Sequence, residues 1–87
     1  MESRYDSIQD WLVEYLANLL KMDPDDIVTT TPFGRYGLDS MATVVMVGDL
    51  MEWLGRNIDM DTVYRNPTIE ALARFLAEDE PGERVEA

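Results

Sequence analysis

Asp39 and Ser40 stand side by side directly ahead of a long apolar run, and their types and position are the ones in this chain that could support chemistry. A serine at the start of a helix presents a hydroxyl among backbone N–H groups that lack intrahelical partners. That hydroxyl could act as a nucleophile, serve as a point of modification, or simply cap the helix. Autonomous nucleophilic catalysis is excluded, because the chain contains no histidine and its one lysine, Lys21, is distant in sequence. Without cysteine there is no thiol nucleophile and no thiolate zinc site. A disulfide-held secreted miniprotein is excluded for the same reason. Asp23, Asp25 and Asp26 cluster, yet they lack the glycine and terminal glutamate of an EF-hand loop and read as a solvated loop. On the residues alone, a plain cap and a modified hydroxyl both stay open for Ser40.

The elements that must position this pair are helices. With 87 residues, 46% of them apolar, the chain can build one core and has no room for a second. The apolar residues Ile8, Trp11, Leu12, Tyr15, Leu16, Leu19 and Leu20 repeat at helical spacing and predict a first helix over 7–21, with Ser7 as its cap. Residues 22–39 form a long connection punctuated by Pro24, Pro32, Gly34 and Gly37, with a short helical turn expected around Pro24–Ile27. Ile27, Phe33, Tyr36 and Leu38 are its expected anchors. A second helix is expected over 40–54, stopped by Gly55 and Asn57. A short third helix should cover 61–65, and a fourth should follow Thr68 as cap. The fold class is therefore all-α: a bundle of three long helices and one short one, occupying 1–77. The charged, core-poor tail over 78–87 reads as disordered or a linker.

A net charge of −11, from 7 basic and 18 acidic residues, repels nucleic acid and anionic membrane surfaces and favours basic protein partners. No apolar run is long enough to span a membrane, and Met1-Glu2-Ser3-Arg4 does not begin a signal peptide. The expectation is a cytoplasmic, monomeric domain that performs no catalysis of its own.

The second helix carries the most information. At 100° per residue, Thr43, Met46, Val47, Leu50 and Leu54 fall on one face, with Trp53 at its edge, and form the expected core side. Met41, Val45, Gly48 and Glu52 fall on the opposite side, flanked by Val44 and Met51. An apolar stripe on that side, rimmed by Asp39, Asp49 and Glu52, suits protein docking; the other reading is a central helix buried all round. Gly48 costs about 1 kcal/mol of helix stability relative to alanine, which argues for close approach by something.

The segment Phe33-Gly34-Arg35-Tyr36-Gly37-Leu38-Asp39-Ser40-Met41 resembles the acyl carrier proteins of polyketide and fatty-acid synthases. In that family a Gly-Leu-Asp-Ser motif sets a serine at the start of the second helix, and Gly37-Leu38-Asp39-Ser40 matches it position by position. Asn66-Pro67-Thr68-Ile69-Glu70-Ala71-Leu72-Ala73 is similar to the family's lead into its last helix. Peptidyl carriers usually have a second glycine and a His or Asp before the serine, so Leu38-Asp39 points to an acyl carrier. The second helix is also similar to carriers that work beside fatty acyl-AMP ligases.

The resemblance implies a 4′-phosphopantetheine arm, taken from coenzyme A and attached covalently to Ser40, with Asp39 beside it at the attachment site. An anion bonded there would lie at the positive end of the helix dipole. The implied partners are a phosphopantetheinyl transferase, an acyl-activating enzyme (an acyl-AMP ligase) or acyltransferase, and a ketosynthase. The implied docking face comprises Met41, Val44, Val45, Gly48, Met51 and Glu52, and the acyl chain would rest near Met46, Val63 and Tyr64. Two alternatives differ in cargo or in kind: a peptidyl or aminoacyl carrier of a nonribosomal synthetase, and an unmodified helical interaction module using the same face.

Overall fold

In the computed structural model, which describes residues 3–78, the first helix, α1, spans Arg4–Leu20. It begins earlier than the apolar stripe suggested. Ser3, not Ser7, is the cap, and its hydroxyl accepts the Asp6 N–H at 3.1 Å. The extra turn is held by Tyr5, which packs on the core and lies 5.5 Å beneath the Arg74 guanidinium. α1 ends at Lys21, whose left-handed backbone (φ 57°) lets the amides of Lys21 and Met22 return to Ala17 O.

Two short 3₁₀ turns shape the connection. The first, Pro24–Asp26, is capped by Asp23, as the proline-led segment suggested. The second, Phe33–Tyr36, was not expected, because Pro32 and Gly34 read as breakers; both are tolerated in a single tight turn. The anchors Ile27, Phe33 and Leu38 are buried. Tyr36 packs against the core with its ring partly buried, and its hydroxyl accepts from Val28 N at 2.7 Å and donates to Val28 O at 2.9 Å, clasping the loop to itself as well.

Helix α2 spans Ser40–Leu54 and stops at Gly55, whose positive φ of 74° is open to glycine at little cost. The short α3, Met60–Arg65, starts one residue before its expected position because Asp59 caps it. α4 spans Ile69–Glu78, with Ala71 N donating to the Thr68 hydroxyl at 3.0 Å. The described residues form four α-helices and no strand, only an isolated bridge between Pro32 and Thr68. No described helix is long and apolar enough to cross a membrane. The tail expected over 78–87 lies outside the described residues from position 79 on.

The core is one cluster. Ile8, Leu12 and Leu16 of α1 meet Met46, Val47 and Leu50 of α2, with Val63 of α3 and Ile69, Leu72 and Leu76 of α4, all essentially without solvent contact. Each such side chain contributes about 1.5–3 kcal/mol by burial. Tyr15 and Asp49 meet where α1 lies beside α2. Burial first, then the Asp49 charge and its hydrogen bond, raise the Tyr15 phenol above its usual pKa of 10.0. A raised folded value means this stabilisation is complete below the unfolded pKa and is lost as pH climbs through the folded one. The melting temperature should fall more steeply above about pH 10 in the parent than in Tyr15→Phe. Equal slopes would show that the phenol does not feel its burial.

Candidate functional site

The site is built at the start of α2. Leu38 is buried and fixes the chain just ahead of the helix, while Gly37 turns it with φ 83°. Asp39 follows in extended conformation and caps α2, its carboxylate accepting the Ala42 N–H at 2.8 Å. The Asp39 carbonyl accepts both the Thr43 amide, at 3.0 Å, and the Thr43 hydroxyl, at 2.9 Å. The side-chain cap seen at this helix start is thus made by residue 39. Ser40 becomes the first helical residue, exposed, and among the described residues no hydrogen bond holds its side chain. This arrangement decides against the plain-cap reading of Ser40.

An Asp39→Ala variant should lose about 1 kcal/mol, the usual worth of an N-cap. For a domain this small that is a fall of about 4–8 °C in melting temperature. A shift under about 1 °C would mean that the cap is not what holds the helix start.

Beside Ser40 lies a cleft of about 200 Å³. Its apolar walls are Phe33, Leu38, Val63, Tyr64 and Pro67, and Asp39, Ser40 and Thr43 form its mouth. Val63 and Tyr64 lie here as expected, but Met46 does not; it is fully buried in the core. Phe33, Leu38 and Pro67 as walls, and Thr43 at the mouth, were not foreseen. The backbone bond from Phe33 N to Pro67 O, 2.8 Å, brings the loop to the end of α3, and no local pattern announces it.

The far side of α2 is open. Met41 is 75% exposed, Val44 50% and Val45 53%, with Glu52 exposed and Gly48 and Met51 half-buried. Thr43, Met46, Val47 and Leu50 are buried on the core side. Leu54 is half-buried, and Trp53 at the edge is 47% exposed. The central-helix reading therefore fails. A Cβ placed on Gly48 would meet nothing within 4 Å, so no part of the described chain needs that glycine for close packing.

The family model for the phosphopantetheine attachment site matches residues 10–76, which include the whole of α2 and the loop before it. The chain belongs to that family. It is a phosphopantetheine-dependent carrier protein of polyketide-synthase type. The acyl carrier protein TtuC of Teredinibacter turnerae is 42% identical over 72 residues, a match covering 83% of each protein. A phenolphthiocerol/phthiocerol polyketide synthase from Mycobacterium tuberculosis is 35% identical over 74 residues, which are 85% of this carrier and 4% of the synthase polypeptide. Among solved structures, Asl1650, an acyl carrier protein from Anabaena sp. PCC 7120 with a variant phosphopantetheinylation-site sequence, superposes with TM-score 0.81 at 38% identity. That superposition covers 87% of this carrier and 85% of Asl1650. A free-standing peptidyl carrier protein from Acinetobacter baumannii shares the fold, with TM-score 0.79 at 24% identity over 90% of this carrier and 98% of its own chain.

The start of α2 fits the arm's chemistry. Ester formation with phosphate needs a hydroxyl oxygen that is accessible and not already engaged, and Ser40 offers one. The first amides of α2 lie next to it and suit an anion. Asp39 already satisfies one of them, on Ala42, so a bound phosphate would draw on the others.

Proposed function

We propose that Ser40 is the attachment residue and that the carrier presents acyl groups to separate enzymes through the open face of α2. The observation that carries this is the division of labour at the helix start, where Asp39 caps and Ser40 stays free. The arm, once bound, supplies a terminal thiol that holds an acyl group as a thioester, which a cysteine-free chain cannot do itself. Ser40 Oγ would be the nucleophile in attachment, bonding to the pantetheine-bearing phosphorus of coenzyme A as the diphosphate P–O bond breaks and the 3′-phosphoadenosine 5′-phosphate half leaves. Its proton would pass to a base on the transferase. In this reading the protein is not an enzyme.

The partners are a phosphopantetheinyl transferase, an acyl-AMP ligase or acyltransferase that loads the acyl group, and a ketosynthase that receives it. The cytoplasm, where coenzyme A is available, is their common location. Met41, Val44, Val45, Gly48, Met51 and Glu52 form the docking face, and the cleft between Phe33 and Tyr64 shelters the apolar end of the cargo. Similarity to stand-alone and synthase-embedded acyl carriers supports an acyl rather than an aminoacyl cargo. Incubation with a transferase and coenzyme A should add the mass of one arm, mapped to the peptide containing Ser40. Amino-acid adenylating enzymes should then fail to load the product, and acyl-AMP ligases should succeed.

Val45→Asp tests the docking face. Val45 is half exposed, so the fold should melt within about 0.5 kcal/mol of the parent. Transfer to the ketosynthase should slow by about tenfold, the effect of losing an interface residue worth about 1–2 kcal/mol. Unchanged transfer would remove α2's open face from the interface.

A further inference from the structure

An aromatic surface stands at the opposite end of α2, about 20 Å along the helix axis from Ser40. Tyr15, Trp11 and Trp53 form a three-ring stack, with centroids 5.2 Å and 5.7 Å apart and interplanar angles of 21° and 20°. Trp53 ends the stack and is 47% exposed, which is an unusual position for the largest apolar side chain. Around it lies a shallow cleft of about 300 Å³ lined by Ser7, Asp10, Trp11, Glu14 and Trp53. Two indoles and two carboxylates thus share one concavity, and no basic residue lines it. Asp10 and Glu14 are one helical turn apart on α1, so both carboxylates border the same opening.

We infer that this cleft docks an arginine-bearing segment of a partner protein, with the guanidinium laid on the exposed end of the aromatic stack. A guanidinium is planar and weakly hydrated, so it can extend a ring stack while the two carboxylates neutralise its charge. Lysine has a compact, strongly hydrated ammonium and fits the flat surface less well. The chain's net charge of −11 draws basic partners in general; the stacked rings add selectivity among them. Nothing in this site touches Ser40, so docking is independent of the arm.

The chain's two tryptophans both line the cleft, and their indole N–H resonances report on it directly. In a ¹⁵N titration at physiological ionic strength, a capped hexapeptide with two arginines should move both indole resonances. The lysine version should bind about threefold more weakly, and the glutamine version should not move them. Trp53→Ala and the double variant Asp10→Asn/Glu14→Gln should each weaken binding about fivefold. Asp25→Asn/Asp26→Asn removes the same charge from the loop and should change it by less than about twofold. Ser40→Ala should bind like the parent. The assignment is overturned if the indole resonances stay still, if the glutamine peptide moves them equally, or if the loop double variant weakens binding as much as the cleft variants.

Discussion

Ser40→Ala should abolish arm attachment completely while leaving the melting temperature within about 2 °C of the parent. Both halves of this result follow from the helix start. Attachment needs an oxygen nucleophile at residue 40, and a methyl group offers none. Thr43 cannot substitute, because its hydroxyl is buried and donates to Asp39 O at 2.9 Å. Stability is spared because the capping bonds belong to Asp39 and because alanine is at least as good as serine at the first helical position. Intact mass after incubation with transferase and coenzyme A, beside a thermal melt, measures both. A mass gain in Ser40→Ala would assign the arm elsewhere, and a large loss of stability would mean that Ser40 had been capping after all.

The second large effect is expected in the core. Leu12 has no solvent exposure and lies where α1 meets the other helices, so Leu12→Ala should cost about 2–5 kcal/mol through lost burial and the cavity left behind. Domains of this size are stable by only about 5–15 kcal/mol in total. The melting temperature should therefore drop by at least about 8 °C. Leu19 supplies the control: it belongs to the same helix and the same apolar repeat, yet it is 47% exposed. Leu19→Ala should shift stability by less than about 1 kcal/mol. If the two variants melt alike, the burial pattern along α1 is wrong.

That contrast also marks how far the sequence could be read. Helical spacing and stop signals together located the four helices, and the end of α2 was legible to the residue because Gly55 is a strong local signal. The start of α1 was not, because Ser3 and Ser7 are both competent caps. The choice between them is made by Tyr5 packing across to α4, which is a tertiary contact. The tight turn at Phe33–Tyr36 was hidden for a similar reason: Pro32 and Gly34 disfavour long regular elements but not one turn of 3₁₀. At the site, Asp39 and Ser40 were legible as a pair, whereas their division of roles needed the hydrogen-bond geometry. The cleft walls and the Trp11–Trp53 stack join residues that are far apart in sequence, and a periodic pattern carries no record of which neighbours meet.

The ties between the loop and α4 bear on when the protein becomes competent during synthesis. Phe33 N bonds to Pro67 O, Glu70 N bonds to Thr29 O, and Pro32 bridges to Thr68. The stretch that leads into Ser40 is thus fastened by residues made 34 to 41 positions later. A nascent chain that has not yet released the last helix from the ribosome lacks the partners for these fastenings, and its serine sits on an unfinished platform. The platform ahead of residue 40 is in this way complete only in chains translated through to α4.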